Sequence, residues 1–182
     1  GAVKGSNFVQ VGLRGYWPPV ETFEWMREHR LRWHLMREVE ERGAEAVIDD
    51  AIAEALDGPD AVYISVDIDV IDPGSAPGTG TPEPGGFLPR EVLRAVRRIA
   101  STVEIAGMDI VEVAPPYDHA DITAALANRV VLEALSAIAR RRFDAEHGTR
   151  WNPAQPLLDD RVAPVPEGEI RGHDHGDGPH TH

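Results

Sequence analysis

A nearly continuous apolar run ends in three aspartates at residues 61–73, AVYISVDIDVIDP. Such a run, without polar alternation, is typical of a strand buried on both faces of a parallel sheet. Turn-forming residues bound it, Asp57-Gly58-Pro59 before it and Pro73 after it. We therefore predict a buried strand over residues 61–66 whose carboxyl end carries the aspartates.

Strand and helix patterns alternate on both sides of this run. The predicted strands are 8–14, 31–35, 61–66 and 103–113, and the predicted helices are 21–30, 37–56, 89–100 and 121–142, the last of them capped by Asp121. This order predicts an α/β fold with three layers, α/β/α, in which helices cover both faces of a parallel sheet. Right-handed crossovers place the carboxyl ends of the strands at one edge of that sheet. The loops after Val66 and Val113 are therefore the predicted location of a site.

Composition restricts the classes of function. With 182 residues, of which 42% are hydrophobic, the chain fits one ordinary domain with a sizeable core. The net charge of -13 argues against a nucleic-acid partner, because binding to a phosphate backbone needs a basic face. No apolar run approaches the length of a membrane span, so we expect a cytoplasmic protein without a membrane partner. Since the chain has no cysteine, carboxylate, imidazole or water would hold any metal.

The C-terminal part of the chain differs in composition from the rest. Five of the eight histidines and five of the fifteen prolines lie there, with few apolar residues and no helical period. A segment of this composition cannot bury enough apolar surface to fold. We therefore expect a folded part over residues 1–143 and a flexible, acidic tail, rich in histidine and proline, over residues 144–182.

Asp67 and Asp69 are two residues apart, so on a strand they project side by side while Ile68 turns into the core. Two crowded carboxylates repel each other unless a cation or a shared proton lies between them. A hard divalent metal relieves this repulsion, although aspartates in such a pattern also cap turns. Asp72, which ends the segment, is well placed to accept hydrogen bonds from backbone amides of the following loop.

The carboxyl ends of the last two predicted strands carry long and specific motifs. The first is Ser65-x-Asp67-x-Asp69-x-x-Asp72-Pro73, followed by Ala76-Pro-Gly-Thr-Gly-Thr-Pro82 and Gly85-Gly86. The second is Gly107-Met-Asp109-Ile-Val-Glu112-Val-Ala-Pro115, followed by Tyr117-Asp118-His119 and Thr123. The first closely resembles the third metal motif of the ureohydrolases, the arginase and agmatinase family, and the second is similar to that family's substrate-binding segment. With Val11-Gly-Leu-Arg-Gly15 upstream, both look closer to the agmatinase branch than to arginase.

This resemblance covers residues 6–140 and implies the arginase-like fold, present here as its C-terminal half. It implies a pair of Mn2+ ions with a bridging hydroxide, which attacks a guanidino carbon and releases urea and an amine. By resemblance, Asp67 would bridge the ions as a catalytic residue and Asp69 would chelate one of them. Glu112 would act in catalysis by binding the guanidinium, and Thr81 would assist substrate binding. A cationic guanidino substrate and a homo-oligomer in the complete protein are also implied.

Three neighbouring residues have lesser expected roles. Asp109 and Asp118 are expected to cap turns or to orient other site residues. His119 is expected at a helix start or in the wall of a pocket, and is left out of the metal ligands.

Two further motifs of complete ureohydrolases, Gly-Gly-Asp-His-Ser and Asp-Ala-His-x-Asp, do not occur in the sequence. Two aspartates alone provide too few oxygens to enclose two metal ions. We therefore expect the chain to be a truncated form of an agmatinase-like enzyme, and to be poorly soluble because its sheet edge and helix faces would be uncovered.

The leading hypothesis is an agmatinase-type hydrolase that converts agmatine to urea and putrescine. Guanidinobutyrase, guanidinopropionase and formiminoglutamase activities remain open as alternatives within the family. A hypothesis from a different class is a non-catalytic metal-binding fragment or scaffold. The tail histidines His173, His175, His180 and His182 would then bind Ni2+ or Zn2+ loosely.

Overall fold

The structure is a computed structural model that describes residues 3–16 and 18–148. Its strands and helices are, in chain order, β1 (Val9–Leu13), α1 (Val20–Glu28), β2 (Arg32–Leu35), α2 (Met36–Arg42), α3 (Ala44–Ala55), β3 (Ala61–Asp67), α4 (Pro89–Thr102), β4 (Glu104–Val111) and α5 (Ile122–His147). Single 3-10 turns lie at Gly5–Asn7, Ile68–Val70 and Pro115–Tyr117. Residues 144–147 of the predicted tail are helical, because α5 continues to His147. The predicted tail from residue 149 onward lies outside the described residues.

The four strands form two parallel pairs, β1 with β2 and β3 with β4. The sequence predicted a single sheet, but among the described strands no ladder joins the two pairs. Gly12 of β1 lies close to Val70 in the turn after β3, since a Cβ added at Gly12 would come within 2.5 Å of Cγ2 of Val70. In the β3–β4 register, Asp67 lies opposite Val111. The carboxyl ends of these two strands are therefore adjacent.

One hydrophobic core joins β3 to the helices around it. Ile64 and Val66 of β3 are buried, and Ile68 beyond the strand is fully buried, which confirms that it turns into the core. Val96 of α4 belongs to the same cluster. The described residues cover only this face of β3, because Tyr63 on the opposite face is 60% exposed. The prediction of a strand buried on both faces is therefore wrong for the described part of the chain.

The helix predicted over residues 37–56 is two helices, α2 and α3. The break is at Gly43, whose φ of 86° ends α2 and cannot be adopted without strain by residues that carry a Cβ. The apolar periodicity continues across this glycine, so periodicity alone does not reveal the break. Val39 of α2 and Val47 of α3 both reach the core on either side of it.

The last helix, α5, packs along α4 and presents an apolar outer face. By length and composition it is the one described helix that could cross a membrane. The expectation that no apolar run approaches the length of a membrane span is therefore not met. A core helix of a soluble protein passes the same criterion. Glu133 on its inner side is 4% exposed and accepts hydrogen bonds from Arg97 and Arg129. Leu132 and Leu135 on its outer side are exposed.

Ile68→Ala tests the core position of the residue between the two aspartates. We expect the free energy of unfolding to fall by about 3 kcal/mol, because the fully buried side chain would leave a cavity. Leu135→Ala removes the same number of atoms at a position that is 59% exposed, and should cost no more than about 0.5 kcal/mol. Urea denaturation measures both, and equal losses would contradict this assignment of the core.

Candidate active site

The first part of the site is the end of β3, where the chain turns sharply. Asp67 is the last residue of the strand, and the 3-10 turn Ile68–Val70 follows at once. The N–H of Asp69 donates a hydrogen bond to Oδ1 of Asp67 over 3.2 Å. The prediction that both aspartates project from the strand is therefore wrong for Asp69, because the Asp67 side chain caps the turn and the strand ends there.

The Asp67 carboxyl is half-buried and electrostatically crowded. Burial is the largest cause that raises its pKa to about 6; the N–H of Asp69 opposes this, and the charges of Asp69 and Glu112 add to it. A carboxyl perturbed by burial and by like charges is typical of functional sites. A cation placed beside Asp67 would favour its charged form.

Thr81 lies on the loop that joins β3 to α4. Its hydroxyl donates a hydrogen bond to Oδ2 of Asp69 over 2.7 Å. This contact holds the Asp69 carboxylate in one orientation, which is a role that the sequence did not indicate. The role of Thr81 in substrate binding stays a prediction.

The loop that carries Thr81 is tied down by side chains. The Asp72 carboxylate accepts hydrogen bonds from the N–H groups of Gly74 and Gly85, each over 2.9 Å. These bonds hold the pKa of Asp72 below its ordinary value and confirm that it bonds amides of the loop. Farther along, the N–H of Gly78 donates to Oγ1 of Thr123 in α5 over 2.8 Å. The loop is therefore anchored to both β3 and α5.

Glu112 follows β4 directly and has an unusual backbone. Its φ is 63°, in the left-handed region, which costs a residue with a side chain about 1 kcal/mol or more. Such strain is often kept at functional sites. Its side chain is exposed, and its charge contributes to the raised pKa of Asp67. The structure thus brings the predicted residues Asp67, Asp69 and Glu112 to one edge of the β3–β4 pair.

Asp118 caps the start of α5. Its carboxylate accepts hydrogen bonds from the N–H groups of His119, Thr123 and Ala124. Burial would raise the pKa of Asp118, but these bonds lower it below its ordinary value. The sequence placed this cap at Asp121, and that is wrong, because Asp121 has a φ of 56° and the amides are bonded from Asp118.

Asp109 lies on β4 opposite Ser65, which is two residues before Asp67 on β3. Its Oδ2 accepts a hydrogen bond from the hydroxyl of Tyr63 over 2.9 Å. The Tyr63 ring lies across Gly107, where an added Cβ would come within 2.8 Å of the ring. The other oxygen, Oδ1, is buried and has no partner among the described residues. A buried oxygen without a donor suits a site that further groups complete.

The donor atoms at this edge are carboxylate oxygens, which suit Mn2+. No group of three or more candidate ligands that could hold a metal occurs within residues 3–16 and 18–148. Asp67 and Asp69 therefore fit part of a manganese site, since a cation would relieve the crowding that raises the pKa of Asp67. The remaining ligands would come from outside the described residues.

Arg14, immediately after β1, belongs to the Val11–Gly15 motif, but the sequence analysis assigned it no role. Its Nη2 donates a hydrogen bond to the carbonyl of Asp69 over 2.6 Å, and its guanidinium also bonds the carbonyl of Glu83. The side chain of Arg14 lies against Gly86, where an added Cβ would come within 2.8 Å of Nη2. A glycine so far along the chain does not reveal this contact from sequence.

The raised pKa of Asp67 predicts how stability depends on pH in the absence of metal. Between the ordinary value of 3.8 and about 6 the folded chain binds more protons than the unfolded chain. The contribution of Asp67 to the free energy of unfolding therefore decreases as pH rises through this window. Asp67→Asn removes this contribution. Relative to wild type, the free energy of unfolding of the variant therefore rises by on the order of 1 kcal/mol as pH increases through the window, and solvent screening keeps this gain small.

Urea denaturation in EDTA between about pH 3.5 and about pH 7.5, a range that brackets the window from 3.8 to about 6, measures this gain as the difference between the two proteins. This difference isolates Asp67 from the other titrating groups. The control Asp60→Asn changes an exposed aspartate that precedes β3. A difference between Asp67→Asn and wild type that does not change with pH would contradict the crowding of Asp67.

Comparison with known proteins gives consistent matches. Residues 1–137 match the Arginase family. The proclavaminate amidinohydrolase of Streptomyces clavuligerus is 45% identical over 132 residues, which are 72% of this chain and 41% of that protein. The agmatinase of Chromobacterium violaceum is 34% identical over 142 residues, which are 78% of this chain and 41% of that protein.

Solved structures agree with the sequence matches. Formimidoylglutamase from Bacillus subtilis subsp. subtilis str. 168 superposes with a TM-score of 0.71 at 34% identity, over 74% of this chain and 42% of that chain. Arginase from Bacillus caldovelox gives a TM-score of 0.67 at 32% identity, over 72% of this chain and 43% of that chain. These matches confirm the α/β class and the arginase-like fold, and the chain spans less than half the length of each of these relatives. The chain belongs to the arginase family.

Proposed function

We propose that this chain provides the guanidino-binding side and part of the metal site of a ureohydrolase that converts a guanidino compound to urea and an amine. The observation that carries the proposal is the meeting of Asp67, Asp69 and Glu112 at the adjacent ends of β3 and β4. Three carboxyl groups at one edge, one of them with a pKa raised to about 6, suit a site that binds cations.

Asp67 and Asp69 would hold manganese together with ligands from outside the described residues. Each of the two side chains would offer its carboxylate oxygens to the metal. When bound, such ions lower the pKa of a water molecule and orient it for attack on the guanidino carbon. The hydroxyl of Thr81 keeps Oδ2 of Asp69 in place for this task.

Glu112 would bind the guanidinium of the substrate. A carboxylate accepts two parallel charge-assisted hydrogen bonds from a guanidinium, which fixes the position of its carbon. The exposed side chain of Glu112 leaves it accessible to a small molecule. Its strained backbone is consistent with a side chain that must point in one direction.

Agmatine is the substrate that we propose, with putrescine as the amine product. Several relatives carry other names, among them a guanidinopropionase of Pseudomonas aeruginosa that is 39% identical. The 45% identity to a proclavaminate amidinohydrolase favours a second candidate, an amidino compound that carries a carboxylate. We also propose a cytoplasmic homo-oligomer for the complete protein. The non-catalytic alternative depends on tail histidines that lie outside the described residues.

The test is Mn2+-dependent release of urea by this chain and by any longer polypeptide that its gene encodes. The substrates are agmatine, 4-guanidinobutyrate, 3-guanidinopropionate, arginine and the amidino precursor of proclavaminate, with formamide release from formiminoglutamate measured separately. Urea from agmatine supports the proposal, and urea from the carboxylate substrate alone supports the second candidate. If neither form of the protein releases a product from any of these substrates, the proposal that it is an enzyme is rejected. Mn2+ titration of a chain without residues 149–182, which leaves α5 intact, then decides whether metal binds to the core or to the tail.

A further inference from the structure

The guanidinium of Arg14 is surrounded by backbone carbonyl groups from two distant segments. Nη2 donates to the carbonyl of Asp69 over 2.6 Å and to that of Glu83 over 2.5 Å. Nε donates to Glu83 over 3.1 Å and to the carbonyl of Pro84 over 3.3 Å. All of these acceptors belong to the turn after β3 or to the end of the loop that carries Thr81.

Arginine is the side chain that suits this position. Its planar fork of N–H groups can bond several carbonyl groups at once, whereas a lysine ammonium is a single point charge. The surroundings are shaped for it, because a Cβ added at Gly86 would lie 2.8 Å from Nη2 and 2.6 Å from the backbone N of Asp72. Arg14 also comes from the β1–β2 pair, so its bonds join the two strand pairs at the site.

The Asp69 residue is consequently held from two sides. Arg14 bonds its main-chain carbonyl, and Thr81 bonds its carboxylate. Thr81 can reach Asp69 only while the loop between Asp72 and Gly86 keeps its path. Arg14 fixes the end of that loop, and Asp72 fixes both its beginning and its end through Gly74 and Gly85.

We infer that Arg14 is a positioning residue, which sets the orientation of the Asp69 carboxylate for a metal ion by holding the turn and the loop end together. The inference rests on the proposed function only where it assigns Asp69 to Mn2+. The holding of the turn and the loop by Arg14 is a separate, measurable property of the chain.

The experiment compares wild type with Arg14→Gln, Arg14→Lys and the control Arg37→Gln, whose side chain is 81% exposed and pairs only with Glu41 among the described contacts. Hydrogen exchange is followed over residues 69–75 and 83–87, with α4 as internal reference. The affinity for Mn2+ alone is measured from the EPR signal of the free ion. The conservative lysine variant separates the charge of Arg14 from its fork geometry.

For Arg14→Gln we expect about tenfold faster exchange in both segments, unchanged exchange in α4, and about tenfold weaker Mn2+ binding. Arg14→Lys should be intermediate, and Arg37→Gln should match wild type. Unchanged exchange in the two segments, or equal acceleration throughout α4, would overturn the inference. Faster exchange with unchanged Mn2+ affinity would overturn its metal part. If neither this chain nor the longest polypeptide that its gene encodes binds Mn2+, the metal role in the proposed function fails, and the exchange data alone decide the role of Arg14.

Discussion

Replacing Asp67 by asparagine is expected to weaken Mn2+ binding by at least about 100-fold and to lower urea release by about 1000-fold. The amide keeps the shape of the side chain but removes the negative charge that Asp67 would offer to the metal. Metal affinity is measured by EPR of the free ion and turnover by urea release, both on the form of the protein that releases urea. Asp60→Asn, which changes an exposed aspartate before β3, is the control.

In the metal-free protein the same substitution is expected to raise the free energy of unfolding near neutral pH, because it removes a carboxyl whose pKa is raised by burial and by neighbouring charges. Loss of metal binding therefore cannot be attributed to unfolding if the variant melts no lower than wild type near neutral pH. Full turnover by Asp67→Asn would refute its metal role, whatever its stability.

Glu112→Gln is expected to lower kcat/KM for a guanidino substrate by about 100-fold, while the affinity for Mn2+ changes by less than about threefold. Glutamine keeps a hydrogen-bond acceptor but loses the charge that pairs with the guanidinium. Steady-state kinetics and metal titration measure the two effects. The control Glu40→Gln changes an exposed glutamate on α2.

Two results would contradict this role of Glu112. Unchanged kcat/KM would show that the guanidinium binds elsewhere. A large loss of Mn2+ affinity would show that Glu112 is a metal ligand and not a substrate-binding residue. A lower affinity for a cationic substrate with unchanged kcat would instead limit its role to ground-state binding.

Much of the site could be predicted because it depends on short-range patterns. The apolar run before Asp67 predicts a buried strand, and parallel strands place their carboxyl ends at one edge. These two rules bring Asp67 and Glu112 together without any knowledge of contacts. The motif around Asp69 then suggested the family, which the match over residues 1–137 confirms.

The errors arise where a single residue changes the path of the backbone. Gly43 interrupts a continuous apolar period, and the hydrogen bond from the N–H of Asp69 ends β3 at Asp67. The α5 cap lies at Asp118 and not at Asp121, because the N–H groups of Thr123 and Ala124 donate to the Asp118 carboxylate. Hydrophobic periodicity does not report such hydrogen bonds.

The role of Arg14 was missed for a different reason. Its partners are main-chain carbonyl groups, and every residue has one, so no side-chain pattern in the sequence marks them. The division of the strands into two pairs was missed because strand patterns indicate which segments are extended but not which of them are neighbours.

The left-handed backbone at Glu112 has a consequence for engineering of this protein. Selection for thermal tolerance alone would favour glycine at this position, since glycine adopts a φ of 63° without strain. It would likewise favour a neutral residue at Asp67. A library screened only for resistance to heat would therefore discard the proposed site first, and an activity screen must accompany it from the first round.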